Sequence, residues 1–215
     1  MWRFLILLVM LGGQASAGAW PRAKGEIFLS FSSTLNASGN SAADYVALYA
    51  EYGITGRVTA GLDLGTDGIR SSKAVGFLVF PLAQPAHDWK LALEAGLGRI
   101  DSRDALRPGL SLGRPIQLGA RPGWMAIDTR WVLFQDNQGG DRVESDVTFG
   151  LSLNDRNKMM VQFQAGDPSS GSPYLRIAPS WVIERKPGRH IELGVTAGVI
   201  ESEDIGLKLG FWRKR

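Results

Sequence analysis

The sequence contains no cysteine among its 215 residues, which excludes disulfides, thiolate metal sites and a cysteine nucleophile. It also lacks a strong charge of either sign, because 24 Lys and Arg stand against 21 Asp and Glu. With no cluster of basic residues interleaved with aromatic ones, this balance does not predict nucleic-acid binding. No run reaches the ~18 consecutive apolar residues that a membrane-spanning helix requires.

Glycine is the abundant residue, at 27 positions that are dispersed along the whole chain. Hydrophobic residues make up 44% of the sequence and the mean hydropathy is -0.05. These values argue against a disordered chain and against a bundle of membrane helices. The length predicts a single domain with a sizeable core.

The N-terminus has the form of a secretory signal peptide. Arg3 supplies the positive region, residues 4–11 form the apolar region, and Ala15-Ser16-Ala17 fits the small-residue cleavage rule. The next overlapping triplet, Ala17-Gly18-Ala19, fits the rule equally well, so cleavage after Ala19 is also allowed. An apolar run of about eight residues is too short for a membrane anchor. We therefore predict a signal peptide over residues 1–17 and export of the remaining chain.

After residue 20, apolar residues recur at every second position rather than with helical spacing. Residues 58–65, VTAGLDLG, are typical, with an apolar residue at each even position. About twelve such segments occur, each near the length of a tilted membrane-spanning strand. The predicted linkers between them cover residues 36–43, 53–56, 66–72, 84–88, 99–105, 114–122, 136–141, 154–157, 167–172, 186–188 and 201–203.

The two faces of these strands differ in composition. One face is almost entirely aliphatic or aromatic, whereas the other carries Gly, Ser, Thr, Gln and charges of both signs. A soluble β-sandwich also alternates, but the export signal and the even strand number favour lipid outside and a polar lumen inside. We predict an all-β fold, a closed antiparallel up-and-down transmembrane β-barrel of about 12 strands in the outer membrane of a Gram-negative bacterium. The barrel is predicted over residues 24–212, with a basic tail at 213–215.

The linkers also predict an orientation. With the N-terminus in the periplasm, the odd-numbered linkers lie outside the cell, and on the whole they are the longer and more polar ones. An aromatic girdle is then predicted on the outward face near the periplasmic end. Its members are Tyr52, Phe80, Trp89 and Phe211.

Residues 204–211, DIGLKLGF, resemble the last-strand signal of bacterial outer-membrane proteins. The constrained positions of that signal are polar, glycine, apolar and aromatic, and Gly206, Leu209 and Phe211 occupy the last three. The resemblance implies insertion into outer-membrane lipid by the barrel-assembly machinery. Residues 212–215 extend past the aromatic residue on which the family typically ends.

Residues 51–62, EYGITGRVTAGL, are similar to a hairpin of small bacterial barrels, including those assigned as outer-membrane transporters of the phenol meta-degradation type. Gly53 and Gly56 suit a tight periplasmic turn between two strands. The resemblance implies a barrel and points to transport, but it identifies no solute.

Three patterns that carry chemistry elsewhere are incomplete here. Residues 109–113 match the G-x-S-x-G nucleophile elbow around Ser111, but no helix pattern follows. His87 and His190 are predicted in or beside periplasmic turns, and two histidines do not make a transition-metal site. The EF-hand pattern is not met by the acidic linker residues, which are Asp101, Asp104, Asp136 and Asp141. We therefore predict no cofactor, no metal and no enzymatic activity, and a lipid hydrolase built on a barrel is the most distant alternative.

The inward-facing charges are the remaining candidates for a functional site. Their mixed signs predict no simple anion or cation preference. They either line a pore that selects solutes or form ion pairs that plug a structural or surface-interaction barrel. Because lumen glycines leave space, we favour a passive pore or transporter for small solutes. The predicted lumen-lining residues are Glu51, Asp63, Glu94, Asp128, Arg130, Glu144, Asp146, Lys158, Arg176, Glu184, Glu192 and Lys208.

Overall fold

The computed structural model describes residues 18–36, 44–69, 71–82, 88–136, 138–168, 172–200 and 205–215. The predicted signal peptide and His87 lie outside these residues. Among the described residues no helix is long and apolar enough to cross a membrane. The strands are β1 (Ile27–Asn36), β2 (Tyr45–Thr55), β3 (Val58–Thr66), β4 (Ser72–Pro81), β5 (Lys90–Ile100), β6 (Arg103–Leu118), β7 (Arg121–Phe134), β8 (Arg142–Ser152), β9 (Asn157–Pro168), β10 (Tyr174–Lys186), β11 (Arg189–Ile200) and β12 (Ile205–Lys214).

Each strand pairs antiparallel with its neighbours in sequence, and β1 pairs with β12 to close the barrel. The closing register runs from Phe28 opposite Lys214 to Asn36 opposite Gly206. Closure leaves no sheet edge, which lipid requires because unpaired backbone groups are costly in hydrocarbon. The predicted closed barrel of twelve antiparallel strands is confirmed. We call the rim at which β1 begins and β12 ends the periplasmic rim, following the predicted orientation, and the opposite rim the extracellular rim.

The outer face of the barrel is apolar. Along β12, Leu207, Leu209 and Phe211 are 62%, 55% and 42% exposed. Gly206, which faces the lumen, is buried. The described residues that resemble the last-strand signal, 205–211, therefore lie on the strand that closes the barrel, with Leu209 and Phe211 pointing outward. A continuous apolar belt of this kind is the surface that lipid covers.

Three members of the predicted aromatic girdle, Tyr52, Phe80 and Phe211, are exposed on this outer face. The fourth, Trp89, is only half-buried, and the Arg114 guanidinium carbon lies 5.2 Å from its ring centroid. A cation above an indole ring at this distance is favourable. The periplasmic girdle thus combines three outward rings with one ring that is covered by an arginine.

Several strands are longer than predicted. The predicted linker 99–105 is reduced to a turn at Asp101 and Ser102, whose φ angles of 51° and 66° are those of a tight hairpin turn. The predicted linker 114–122 is strand except at residues 119–120. Polar residues at these strand ends take part in the strand pairing, so their polarity did not mark a loop.

The last strand also exceeds its prediction. β12 continues to Lys214, and Arg213 and Lys214 pair with Leu29 and Phe28 of β1. The main chains of Arg215 and Ile27 are joined by two further hydrogen bonds, of 2.8 and 2.9 Å. The residues predicted as a basic tail are therefore largely part of the closing strand pair.

The inner face is less polar than predicted, because apolar clusters occupy part of the lumen. One cluster lies toward the periplasmic rim, a second lies toward the extracellular rim, and a third small one lies between strands β4 and β5. Their buried members are Phe28, Trp124, Met160, Val182 and Trp212; Val75, Ile100, Ala105, Val132 and Phe134; and Phe77, Val79 and Ala92.

Aromatic rings also occupy the space that the lumen glycines provide. At four glycines a Cβ would overlap an aromatic ring of the adjacent strand. The expectation that these glycines leave an open passage is therefore wrong, because each gives room to a ring instead. The pairs are Gly61 with Phe77, Gly65 with Tyr45, Gly150 with Trp124, and Gly166 with Tyr174.

Candidate functional site

A cavity of about 240 Å³ lies in the barrel lumen, and we call it the central cavity. Charged side chains line one side of it, and hydroxyl and amide groups line much of the other. The uncharged polar members are Ser30, Ser32, Tyr49, Thr148 and Gln162. Such a cavity has enough polar partners to hold water.

Arg107 is the centre of the charged side. Its Nη1 donates to Asp63 Oδ2 at 2.6 Å, and its Nε donates to Glu94 Oε1 at 3.0 Å. The Arg107 residue is only 1% exposed. The planar fork of the guanidinium lets one cation hold two carboxylates from different strands in fixed positions.

Further ion pairs extend this arrangement in both directions around the wall. Lys73 Nζ lies 2.9 Å from Asp63 Oδ2, and Arg130 Nε donates to Glu94 Oε2 at 3.2 Å. Arg130 Nη1 lies 3.6 Å from Asp146 Oδ2. We call these six side chains, one from each of the strands β3 to β8, the lumen charge network: Asp63, Lys73, Glu94, Arg107, Arg130 and Asp146.

The lumen charge network is formally neutral, with three cations and three carboxylates. Buried charges are stable only when they are paired in this way. The network therefore supplies a rigid polar wall and does not impose a single sign on the lumen.

A smaller ion pair lies across the central cavity. Lys208 Nζ on β12 is 2.8 Å from Glu192 Oε1 on β11, and it also donates to Gln162 Oε1 on β9 at 3.0 Å. The Lys208 side chain is 15% exposed, so it keeps contact with the cavity, whereas that of Glu192 is 2% exposed. This side of the cavity therefore presents a partly exposed lysine ammonium that is paired with a buried carboxylate.

Residues 18–26, which we call the N-terminal segment, fold back into the periplasmic half of the lumen. The Arg22 backbone N donates to Thr59 Oγ1 at 2.9 Å, and Arg22 Nε donates to Glu51 Oε2 at 2.5 Å. Arg22 also lies over the ring of Phe28, with its guanidinium carbon 4.4 Å from the centroid. Ala19 and Arg22 are 1% and 3% exposed. The segment therefore fills part of the lumen.

Two wall glycines make room for the N-terminal segment. A Cβ at Gly113 would overlap the Trp20 ring and lie 2.9 Å from the Ala19 Cβ, and a Cβ at Gly53 would overlap the backbone oxygen of Ala23. The inner end of the segment, at residue 18, reaches the middle of β6. The segment thus narrows the lumen from the periplasmic rim to about half its depth.

On the extracellular rim, two arginines tie neighbouring turns together. Arg103 donates to Asp136 at 2.5 and 2.7 Å, and Arg142 Nη2 donates to Asp101 Oδ2 at 2.7 Å. Both guanidinium groups stack on the Phe134 ring, 3.7 and 5.1 Å from its centroid. The Arg103 guanidinium holds the pKa of the Asp136 carboxyl below its usual range. No group of three or more acidic or histidine side chains among the described residues is arranged to hold a metal ion.

Comparisons with known proteins identify the fold. No family model and no curated protein matches the sequence. The NanC porin matches with a TM-score of 0.64 and 9% identity over 87% of this chain and 100% of that one. The KdgM porin in complex with disordered oligogalacturonate matches with a TM-score of 0.62 and 6% identity over 86% and 98%. An outer-membrane channel from Pseudomonas putida F1 matches with a TM-score of 0.55 and 9% identity over 94% and 100%.

The fold is that of outer-membrane porins. With its apolar belt, the chain has the fold and the lipid-facing surface of an outer-membrane β-barrel.

In the barrel, six of the twelve predicted lumen-lining residues belong to the lumen charge network or to the Glu192–Lys208 pair. Asp63, Glu94, Arg130 and Asp146 join the lumen charge network, and Glu192 pairs with Lys208. Two more contact the N-terminal segment or the wall beside it. Glu51 binds Arg22 and accepts a hydrogen bond from Tyr49, and Asp128 accepts one from Ser111.

The other four predicted residues lie elsewhere. Glu184 lies near the end of β10, where it accepts a hydrogen bond of 2.9 Å from the Gly188 backbone in the following turn and lies 3.7 Å from His190. Lys158 is buried, at 6% exposure, near the start of β9. Glu144 and Arg176 are half-buried, and neither forms an ion pair with another described residue.

Three charged residues of the lumen were not predicted from the sequence: Arg107, Lys73 and Arg22. The inward parity of Gly109 and Ser111 extends to residue 107, so a longer strand would have included Arg107. Lys73 was likewise placed next to a linker instead of inside β4. Arg22 lies before the first alternating segment, so no periodic signal marks it.

Ser111 does not form a nucleophile elbow. It lies inside β6, is 4% exposed, and donates to Asp128 Oδ1 at 2.5 Å. Among the described residues no histidine contacts it, since His190 lies beside Glu184 and the Trp212 ring. The hydroxyl therefore acts as a hydrogen-bond donor to a buried carboxylate, and no histidine among the described residues is placed to act as the base that activates a serine.

Proposed function

We propose that this barrel is a narrow passive pore for small polar solutes, with its periplasmic half constricted by the N-terminal segment. The observation that carries the proposal is the central cavity, whose charged and hydrogen-bonding walls lie within an apolar shell. Polar groups in the lumen can replace the hydration of a passing solute, which is how pores lower the barrier to permeation.

The class of solute follows from the walls of the cavity. One side carries the neutral lumen charge network, and the other carries Lys208 together with the hydroxyl and amide groups of Ser30, Ser32 and Gln162. These groups donate and accept hydrogen bonds without a dominant sign, which suits small solutes rich in hydroxyl groups. The KdgM porin, which has this fold, was solved with an acidic sugar oligomer, and this lends support to a sugar-like solute here.

A second candidate function is a structural or surface-interaction barrel with a closed lumen. It is favoured by the buried N-terminal segment and by the apolar clusters that lie toward both ends of the lumen. The two functions differ in one property, because only a pore conducts ions when the purified protein is inserted into a planar bilayer.

The test is single-channel recording of the wild type, a Lys208→Met variant and an Arg99→Met control, whose residue pairs with Asp104 on the exposed rim. We expect discrete openings for all three proteins. Removing the Lys208 charge from the cavity is expected to shift the reversal potential toward cation selectivity, and the control leaves it unchanged. If neither the wild type nor a variant lacking residues 18–24 opens, the pore is refuted and the closed barrel stands.

A further inference from the structure

The inner end of the N-terminal segment lies against a buried carboxylate. A Cβ at Gly18 would overlap both Asp128 Oδ1 and Ser111 Oγ, so the Gly18 backbone is in direct contact with these two groups. Asp128 is 8% exposed and accepts a hydrogen bond of 2.5 Å from Ser111. It forms no ion pair with another described side chain, although an unpaired buried carboxylate is costly.

We propose that the signal peptide is removed after Ala17 and that the new α-ammonium group of Gly18 is the counterion of Asp128. Hydrolysis of the Ala17–Gly18 peptide bond consumes one water and leaves a carboxylate on Ala17 and an amine on Gly18, which is protonated at neutral pH. The ammonium is attached to a Cα that already touches the carboxylate, by a bond of about 1.46 Å. Rotation about ψ of a terminal residue can turn the ammonium toward Asp128.

The geometry distinguishes between the two cleavage positions that the sequence allows, after Ala17 and after Ala19. Cleavage after Ala19 would remove Gly18 and Ala19, a residue that is 1% exposed and packs beside Gly113. The first ammonium would then belong to Trp20, two residues and up to about 7 Å of chain farther from Asp128. Of the two positions, only cleavage after Ala17 places an α-ammonium group beside the buried carboxylate.

The absence of a side chain at position 18 fits the same arrangement. Any other residue would place its Cβ on the Asp128 and Ser111 oxygens. The N-terminal segment would then have two charged attachments inside the lumen. One joins Gly18 to Asp128 on β7, and the other joins Arg22 to Glu51 on β2. The inference rests on the predicted signal peptide and is independent of whether the barrel conducts.

The first test is N-terminal sequencing and intact mass of the full-length protein after expression and purification from outer membranes. We expect the mature chain to begin at Gly18. A mature chain that begins at Trp20, or one that keeps the signal peptide, overturns the inference.

The second test measures acylation of the α-amine by acetic anhydride, with the N-terminal peptide quantified by mass spectrometry. A neighbouring carboxylate favours the charged, unreactive ammonium, so we expect acylation at least about tenfold slower in the folded barrel than in the urea-unfolded chain. Equal rates in these two states of the wild type contradict the pairing, and this comparison needs no variant.

A matched pair of variants then assigns the protection to one carboxylate. Asp128→Asn is expected to raise the acylation rate of the folded barrel toward that of the unfolded chain. Asp146→Asn, which removes another lumen carboxylate, is expected to leave the amine protected. If Asp128→Asn folds, as shown by heat-modifiable gel migration, and the amine stays protected, Asp128 is not the counterion.

Discussion

Arg22 Nε lies 2.5 Å from Oε2 of Glu51, which joins the N-terminal segment to β2 inside the periplasmic half of the barrel. The two side chains are 3% and 2% exposed. Removing one member of a buried pair leaves the other charge uncompensated, which typically costs about 3–5 kcal/mol. This pair therefore governs how firmly the N-terminal segment is held in the lumen.

We predict that Arg22→Ala loosens the N-terminal segment and raises single-channel conductance in planar bilayers. The matched control is Lys24→Ala, because Lys24 is an exposed residue of the same segment. The control is expected to conduct like the wild type. Identical conductance in all three proteins would show that the segment does not constrict the pore.

The lumen charge network stabilises the barrel through Arg107, which contacts Asp63 and Glu94 from a fully buried position. We predict that Arg107→Met lowers the free energy of unfolding by about 3–5 kcal/mol, because it leaves the three carboxylates of the network with only two cations, Lys73 and Arg130. The control Arg99→Met breaks an exposed pair and is expected to cost less than about 1 kcal/mol. Urea unfolding in detergent, followed by tryptophan fluorescence, measures both, and equal losses would contradict this role of the network.

The Trp124 ring occupies the space above Gly150 on the adjacent strand. Gly150→Ala is therefore expected to displace a buried ring and to destabilise the barrel by about 1–3 kcal/mol. Gly76→Ala is the control, because a Cβ there meets no atom within 4 Å. We expect the midpoint of thermal unfolding to fall only for Gly150→Ala; an unchanged midpoint would show that the ring has other space available.

The Arg103–Asp136 pair predicts a pH dependence at the extracellular rim. Because folding lowers the pKa of Asp136, the pair contributes stability above the ordinary carboxyl pKa of about 4, and this contribution disappears as the pH falls through the lower folded value. The difference in unfolding free energy between the wild type and Asp136→Asn is therefore expected to be constant above about pH 5 and to shrink below about pH 4. Arg103→Gln should show the same profile as Asp136→Asn, and a difference that grows in acid would contradict the pairing.

The sequence predicts the barrel and much of its lumen because a period of two fixes the face on which each side chain lies. Asp63, Glu94 and Arg130 were found by this parity alone. Arg107 was missed because polar residues near the strand end resembled a linker, although the alternation continues through them. The lumen charge network also depends on how six strands are aligned with one another. The alternation of residues along a single strand does not specify that register.

Two other features left no periodic signal. The position of Trp124 over Gly150 depends on cross-strand neighbours and on the rotamer of a single ring. The N-terminal segment lies before the first strand, and its contacts with Glu51, Thr59 and Gly113 are all made with residues at least 29 positions away. Contacts of this kind become visible only once the barrel has closed.

The most direct test of the account is thiol blockade of the conductance, for which the absence of cysteine makes the chain well suited. Ser32 lines the central cavity, whereas the next residue of β1, Ser33, lies on the opposite face of the strand. A bulky charged thiol reagent is predicted to reduce single-channel conductance through Ser32→Cys and to leave Ser33→Cys unchanged. Full conductance after quantitative labelling at Ser32→Cys would show that ions do not pass through this cavity.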